Sequence, residues 1–351
     1  MPLFGLIPTN PMSYSNNTRD LEQRAIFGEV SYDLTDKLTA TVGGRYFEYE
    51  KNERRLREGG FAGNVPIGTG VPADLESDES DSSLKASLSY EPTEDSLVYA
   101  SWSEGFRLGR PDIGVPSALC DTDNDGLVDN TDISVESTRS IGSDFLENYE
   151  IGGKVALLNR RMVLDAAVFH IDWTGLPISA IATCGNLPFG YNINAGAATS
   201  EGVELQATLL VVDGLRIDLG GGYTDAKLSK GSPGIGAEGD RLPGSPKVTA
   251  NFAAQYDFLI ARHNAFVRLD SLYAGSFYGD LLQSPSTLAG DYIKVDARAG
   301  ISVNGISVEL FVRNLTNEDA YTWRGTTASP ALGYRLRPRT IGVQFGYDFS
   351  L

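Results

Sequence analysis

Long apolar runs and clustered basic residues are absent from this 351-residue chain. No stretch of 18 or more consecutive apolar residues occurs, which excludes a transmembrane helix of ordinary length. The formal net charge is -17, with 29 Lys and Arg against 46 Asp and Glu. This balance argues against a nucleic-acid partner, because binding to phosphates needs clustered Lys and Arg.

Cysteine and histidine are too few to form a metal or redox centre. Cys120 and Cys184 have no CxxC neighbour, and His170 and His263 are far apart in the chain. The sequence also contains no Ser/His/Asp order, no phosphate-cradling glycine loop and no HExxH motif. We therefore predict that the protein is not an enzyme and requires no cofactor.

What the chain does contain is segments in which apolar and polar residues alternate. In TIGVQFGYDF (340–349), Ile341, Val343 and Phe345 alternate with polar residues or glycine. Successive side chains of a strand point to opposite faces, so such a segment predicts a strand with one apolar and one polar face. We count about 13 such segments. They lie near residues 23–34, 38–50, 82–91, 97–109, 144–157, 161–174, 200–210, 215–228, 247–258, 264–277, 290–302, 306–315 and 338–349.

The connections between these segments alternate in length. Short ones, such as VDG (212–214) and NG (304–305), predict tight hairpin turns. Tight turns at one end and long loops at the other are typical of an antiparallel up-and-down β-barrel that spans a membrane. A soluble antiparallel sheet with one wet face has the same alternation and remains an alternative. The long connections cover roughly residues 51–81, 110–143, 175–199, 229–246, 278–289 and 316–337.

The polar positions of the predicted strands carry charges of both signs, for example Arg216 and Asp296. In a barrel these side chains would face a wet lumen, and the apolar side chains would face lipid. The barrel prediction therefore fails if the apolar residues are packed in a dry interior. The residues that test it are Leu215, Ile217, Val308 and Val343.

Six segments form an ordered series along the chain: YASWSEGFRLGRPD (99–112), ENYEIGGKV (147–155), VFHIDW (168–173), NINAGAATSEGVELQ (192–206), VELFVRNLTNEDAY (308–321) and RPRTIGVQFGYDF (337–349). In this order they resemble strands from the C-terminal part of the barrel of TonB-dependent outer-membrane receptors. The resemblance implies an all-β transmembrane barrel, with about 13 of an expected 22 strands in this chain. It implies an irregular N-terminal segment over residues 1–20 and a partial barrel over residues 21–351.

The resemblance also implies a function. Receptors of this family lie in the cell outer membrane, contact its lipid, and take up scarce nutrients such as ferric siderophores with energy passed by TonB. The plug domain, the first strands and the segment that contacts TonB are expected outside this chain, and residues 1–17 lack the pattern of a signal peptide. A passive outer-membrane channel, a purely structural barrel and a soluble antiparallel β-protein remain alternatives.

Aromatic and cationic residues of the loops and strand ends are the candidate ligand contacts. Anchoring at the membrane interface is the alternative role for the aromatic residues. Pairing with acidic loops is the alternative for the arginines. The candidates are Trp173, Phe189, Tyr191, Tyr321, Trp323, Arg107 and Arg324, with Phe277, Tyr278 and Arg335 as further positions of the same kind.

The segment DTDNDGLVDNTD (121–132) has the spacing of a calcium-binding loop, with Gly126 at the bend. Asp132 stands where a bidentate Glu is usual, and no flanking helices are evident, so a plain acidic loop is the alternative. The predicted ligands are Asp121, Asp123, Asp125, the Leu127 carbonyl, Asp129 and Asp132.

A disulfide between Cys120 and Cys184 is a further prediction. The two cysteines fall in adjacent long connections, which a barrel would place on the same exterior side. The cell exterior permits disulfide formation.

Overall fold

The computed structural model describes residues 14–59, 66–184, 187–231, 236–325, 333–347 and 349. It is almost entirely β-structure, and no helix within the described residues is long and apolar enough to cross a membrane. The strands are β1 Tyr14–Thr35, β2 Leu38–Glu58, β3 Ala73–Thr93, β4 Ser96–Arg107, β5 Arg110–Pro111, β6 Ser140–Ile141, β7 Asp144–Leu157, β8 Met162–Cys184, β9 Leu187–Val212, β10 Leu215–Lys230, β11 Val248–Ile260, β12 His263–Ala274, β13 Tyr292–Val303, β14 Ile306–Arg313, β15 Tyr321–Arg324, β16 Gly333–Arg335 and β17 Thr340–Tyr347. The helical pieces are α1 Ser117–Cys120 and the 3₁₀ turns Glu136–Thr138 and Pro285–Thr287.

Thirteen of these strands form one antiparallel sheet that follows the order of the chain, which confirms the predicted number. Its order is β1-β2-β3-β4-β7-β8-β9-β10-β11-β12-β13-β14-β17. β5 with β6 and β15 with β16 form two small two-stranded sheets inside long connections, of which the second is a hairpin. The tight turns lie where the sequence predicts them: Asn304 and Gly305 both have positive φ, as a two-residue hairpin turn requires.

Several strands are longer than predicted. β1 begins at Tyr14, so the expectation of an irregular segment as far as residue 20 is wrong for residues 14–20, and residues 1–13 lie outside the described residues. β2 continues to Glu58 and β3 begins at Ala73, so much of the predicted loop 51–81 is strand. The polar composition of these strand ends predicts a loop. They form strands nevertheless, because residues of opposite charge, such as Arg54 and Asp74, lie directly opposite each other on neighbouring strands.

A similar correction applies to the predicted loop 175–199. β8 and β9 are paired from Cys184 and Leu187, the pair next to the turn, back to the main sheet, so this region is the end of a hairpin. Its residues are apolar on one side because they pack against another connection, described below. Apolar and polar residues therefore alternate in this region because it is strand. The alternation here reflects packing against a loop and not contact with lipid.

The register joins the apolar positions of neighbouring strands into one continuous apolar face. Leu215, Ile217 and Val308 are half-buried and Val343 is exposed, so none of these four residues is packed in a dry interior. The exposure of these four residues therefore agrees with the barrel prediction. One row of directly paired residues across six strands is Leu215, Tyr256, Val267, Ala299, Leu310 and Val343.

Aromatic residues flank the apolar face on both sides. One set lies near the tight turns, and the other lies toward the ends from which the long connections leave. Aromatic girdles of this kind mark the two interfaces of a membrane-spanning barrel. The first set includes Tyr32, Tyr90, Tyr256, Phe258 and Tyr347, and the second includes Tyr46, Trp102, Tyr149, Tyr223 and Tyr273.

The opposite face of the sheet is polar and carries ion pairs. Arg268 contacts Asp270 at 2.7 Å, and Lys294 contacts Asp296 at 2.6 Å. Arg298 on the neighbouring strand also reaches Asp270, at 3.5 Å. Charges of both signs therefore neutralise each other on this face, as the alternation predicts for the wall of a wet lumen.

We expect the apolar face to contact lipid, and a matched pair of substitutions on β12 tests this. Leu269 and Leu272 are 39% and 43% exposed, but Leu269 lies on the apolar face and Leu272 on the polar face. Leu269→Arg should lower the free energy of unfolding in lipid vesicles by about 2–4 kcal/mol, because it places a charge in hydrocarbon. Leu272→Arg should change it far less. Urea titration of both variants measures the difference, and equal losses would contradict a lipid-facing wall.

Candidate functional site

The long connections on one side of the sheet share a hydrophobic core of their own. Val115, Val128 and Val135, from the connection between β4 and β7, pack with Ile178 and Tyr191 at the end of the β8–β9 hairpin. This connection is therefore a packed unit and not a loose loop. The other buried members of the core are Cys120, Leu176, Ala182, Cys184, Ile193, Ala198 and Leu228.

A disulfide crosses this core. The structure joins Cys120, at the end of α1, to Cys184, at the end of β8, with their Cα atoms 4.8 Å apart. Both half-cystines are buried. The bond ties the connection to the hairpin across a sequence separation of 64 residues.

Two predicted ligand contacts, Arg107 and Trp173, are held by one buried carboxylate. Arg107 donates two hydrogen bonds to Asp144, at 2.9 and 2.7 Å, and Trp173 Nε1 donates a third at 2.6 Å. The Arg107 guanidinium also lies 5.3 Å from the centroid of the Trp173 ring. Since the Asp144 side chain is only 3% exposed, this arrangement compensates a buried charge and fixes the strand ends.

Phe189 and Tyr191, also predicted as ligand contacts, pack within the protein. Tyr191 is 5% exposed within the core, and Phe189 packs against that core from its edge. Both therefore hold the β8–β9 hairpin against the connection that carries Cys120.

Tyr321, Trp323 and Arg324 form a separate group on the β15–β16 hairpin. The guanidinium carbons of Arg324 and Arg335 lie 4.5 and 4.7 Å from the centroid of the Tyr321 ring. Trp323 is 38% exposed and lies beside Tyr334, with 5.6 Å between ring centroids. Arg335 pairs with Asp319 at 3.0 Å, whereas no ion pair to Arg324 occurs within the described ranges. This hairpin therefore presents aromatic surface and a cation that has no acidic partner among the described residues.

The structure also shows a charge network that the sequence reasoning missed. Glu53, whose side chain is 0% exposed, accepts hydrogen bonds from Arg19 at 2.9 Å and from Arg55 at 2.5 Å. Arg55 also contacts Asp112 at 3.0 Å, and Asn192 donates to Asp112 at 3.3 Å. The network links β1, β2, β9 and the connection after β4. The one indication of it in the sequence is that Glu53 and Arg55 are two residues apart, and so lie on the same face of β2 as their neighbour Arg19 on β1.

Two opposing effects act on the pKa of Glu53, which lies beyond the second aromatic set, on the side of the long connections. Burial raises the pKa of this carboxyl, but the hydrogen bonds from Arg55 and Arg19 outweigh burial and bring the pKa below its ordinary value. Glu53 therefore remains ionised and its charge is compensated on both sides. At the tip of β2, hydrogen bonds from the backbone of Gly68 and Gly70 similarly lower the pKa of Glu58.

Three of the six predicted calcium ligands converge. Carboxylate oxygens of Asp121, Asp123 and Asp125 lie within 4.8 Å of one another. The Asp129 carboxylate instead accepts hydrogen bonds from the backbone N–H and the hydroxyl of Thr122, each at 3.0 Å.

Asp132, a further predicted ligand, is exposed and is not part of this cluster. The structure thus brings together three of the five predicted carboxylate ligands.

Comparison with known proteins decides the family. Residues 3–315 match the family described as "TonB dependent receptor-like, beta-barrel". The chain belongs to this family of TonB-dependent receptor barrels. Among curated relatives, it is 22% identical over 339 residues to the "Probable TonB-dependent siderophore receptor PiuA" of Acinetobacter baumannii, covering 93% of this chain and 41% of the relative. It is 24% identical over 346 residues to the "Pesticin receptor" of Yersinia pestis, covering 98% and 46%.

Solved structures agree on the fold. The ferric yersiniabactin uptake receptor FyuA from Yersinia pestis matches with a TM-score of 0.77 at 21% identity, over 98% of this chain and 48% of that one. The siderophore receptor PiuA from A. baumannii matches with a TM-score of 0.69 at 19% identity, over 94% and 43%. The chain thus spans less than half the length of these relatives. Its thirteen-stranded sheet is part of the wall of a TonB-dependent receptor barrel.

The buried position of Glu53 gives a stability prediction. Glu53→Gln should lower the free energy of unfolding by about 2–4 kcal/mol at neutral pH, because it removes the counter-charge of Arg19 and leaves the buried Arg55 with Asp112 alone. Since the pKa of Glu53 is lowered, its stabilisation is present at neutral pH and is lost as the pH falls below the ordinary Glu value of about 4.3. The difference between wild type and variant should therefore shrink in acid. Glu48→Gln, an exposed change on the same strand, is the control, and denaturant titrations that give equal losses would contradict this assignment.

The disulfide gives a second prediction. Replacing Cys120 and Cys184 together by Ser should cost about 2–5 kcal/mol, because it frees a long loop in the unfolded chain and unties the core in the folded one. Limited proteolysis should then cut within residues 117–143 while the sheet stays intact. Wild type treated with reductant should show the same cuts. An unchanged cleavage pattern in both samples would show that the core holds the connection without the bond.

Proposed function

We propose that this chain forms part of an outer-membrane receptor that takes up a scarce small-molecule nutrient, such as a ferric siderophore. TonB would supply the energy through a part of the receptor outside this chain, and lipid of the outer membrane would surround the wall. The names of the relatives support this proposal, since PiuA is called a siderophore receptor and FyuA a ferric yersiniabactin uptake receptor. Both are described as receptors and neither as an enzyme.

The observation that carries the proposal is the asymmetry of the sheet. One face is apolar between two aromatic sets, the opposite face carries paired charges, and the long connections on one side pack into a core of their own. A wall of this kind separates lipid from a wet passage and holds a structured mouth above it. A ligand taken from the exterior would first meet that mouth.

The β15–β16 hairpin is the part of this mouth best suited to contact the ligand. Arg107 and Trp173 are occupied by Asp144, and Tyr191 is buried in the core. The guanidinium of Arg324, in contrast, has no acidic partner in the described part of the chain, and Trp323 beside it is partly exposed.

The chemistry of this hairpin suits an anionic iron complex. A guanidinium forms charge-assisted hydrogen bonds with carboxylate, catecholate or phenolate oxygens. An exposed indole supplies apolar contact to flat rings. Because the chain carries a net charge of -17, a cation that is not neutralised nearby would stand out to an anionic ligand.

An uptake experiment tests both the function and the site. Cells that express the whole receptor and lack other iron receptors are offered ⁵⁵Fe as a catecholate, a phenolate or a citrate complex, with and without TonB. Arg324→Gln should weaken binding of the transported complex about tenfold or more, since it removes a hydrogen bond from a charged group. Trp323→Ala should weaken it in the same direction. Arg54→Gln, an exposed arginine on β2, is the matched control.

Each outcome of this experiment is decisive for one part of the proposal. Uptake that continues without TonB indicates a passive channel. No uptake of any of the three complexes contradicts a role in iron transport. Uptake that depends on TonB but is equal in Arg324→Gln and Arg54→Gln retains the receptor and removes the hairpin from the site.

A further inference from the structure

Strand β3 has a free edge on the exterior side of the sheet. It pairs with β2 from Tyr90 up to Ala73. On its other side it pairs with β4, but that pairing ends at Lys85, opposite Ser103. Within the described residues, no strand pairs with residues 74–82 of β3 on this side. β3 is therefore an inner strand in the lower part of the sheet and an edge strand above it.

The backbone groups of this edge point away from β2 at the even-numbered residues. The N–H of Glu91 donates to the carbonyl of Lys37 at 2.8 Å, so the odd-numbered residues of β3 bond to the β2 side. In an antiparallel ladder, the residues between them direct both their N–H and their C=O groups to the opposite side. The groups that point to the free edge belong to Asp74, Glu76, Asp78, Ser80 and Ser82.

Side chains take the place of the missing strand only at the lower end of this edge. The N–H of Leu84 donates to Glu104 Oε2 at 2.8 Å, and the N–H of Ser82 donates to Asp81 Oδ1 at 2.6 Å. At the four even-numbered residues farther out, the N–H groups have no hydrogen-bond partner among the described residues, and the side chains are exposed. A row of unpaired N–H and C=O groups of this kind is a template for an added strand.

The side chains along this edge exclude one occupant and select another. Residues 73–83 contain five acidic residues and no basic one. Glu76 and Asp78 have no ion-pair partner within the described ranges, and across the ladder on β2 they face Asn52 and Glu50. A second copy of β3 would bring its own carboxylates to this edge, and like charges in opposite positions destabilise a pair of strands. A strand with Lys or Arg at every second residue would instead place a cation opposite each carboxylate.

We propose that residues 74–82 of β3 bind an extended, basic segment of a protein partner outside the cell, as an added antiparallel strand. Backbone hydrogen bonds along the edge hold the segment, and cations at alternate positions of the segment select it. The β2 ladder keeps β3 extended, so the edge is already in the conformation that binding requires. This interaction is separate from nutrient uptake, because the proposed ligand contacts lie on the β15–β16 hairpin, between β14 and β17.

A pair of synthetic peptides tests whether the partner binds as a strand. The probe is a fluorescent peptide of about nine residues, the length of the free edge, in which lysine alternates with threonine. Fluorescence anisotropy with the whole receptor in detergent, at fixed ionic strength, should show saturable binding. The same peptide with every backbone nitrogen methylated keeps its charge but has no N–H to donate. It should bind about tenfold or more weakly, because the ladder is lost. Equal binding of the two peptides would reduce the interaction to charge attraction and overturn the proposal.

Variants of the edge separate its backbone groups from its charges. Ser80→Pro removes one free N–H without a change in charge, and β2 does not use that N–H, so the strand should tolerate the proline. It should weaken binding of the probe about fivefold, whereas Ser80→Ala should bind like wild type. Glu76→Gln/Asp78→Asn should also weaken binding. Asp123→Asn/Asp125→Asn, which removes the same charge from exposed positions of another connection, is the control.

Hydrogen exchange of the wild-type receptor, resolved to single residues, needs no variant. When the probe is added, exchange should slow at the amides of Asp74, Glu76 and Asp78, which point to the free edge. The amides of Leu75 and Ser77 are already bonded to the β2 side and should change little. Unchanged exchange at the even-numbered amides, or equal slowing in both sets, would overturn the proposal. So would equal affinity of the probe for wild type and Ser80→Pro.

Discussion

Inside a bilayer, every backbone N–H and C=O must find a partner within the protein, because hydrocarbon offers none. The rest of this structure depends on that constraint. It explains why thirteen strands pair in chain order without a crossover, and why the connections within the sheet reduce to hairpin turns on one side. It also fixes the register: a slip by one residue would turn the whole apolar set of a strand, such as Val267 and Leu269, toward the charged face.

The same constraint explains what the sequence reveals. Where one face meets lipid and the other meets water, alternation is strict, so the strands around Leu215 and Val343 could be predicted from the sequence, together with their number. Beyond the aromatic residues, water surrounds both faces and selection for alternation in hydropathy ends. Residues 51–58 and 73–81 therefore looked like a loop, although pairs in register such as Arg54 and Asp74 continue the ladder there.

The candidate site shows a sharper limit of sequence reasoning. Residue type suggested Arg107, Trp173 and Tyr191 as ligand contacts, but their surroundings engage all three in the framework of the exterior connections. Spacing alone cannot distinguish an arginine that meets a ligand from one that neutralises a buried carboxylate such as Asp144. That distinction depends on contacts between distant segments, and the network around Glu53 arises in the same way. The disulfide is easier to predict from the sequence, since the chain contains only two cysteines.

An odd number of strands in the described sheet has a consequence for assembly. Because neighbours alternate in direction, β1 and β17, at the two borders, point the same way. They are therefore mismatched as antiparallel partners for each other, and two copies joined border to border would meet the same mismatch. Chain polarity thus disfavours a closed antiparallel barrel made by pairing the two borders of this sheet, or by joining identical copies of it side by side.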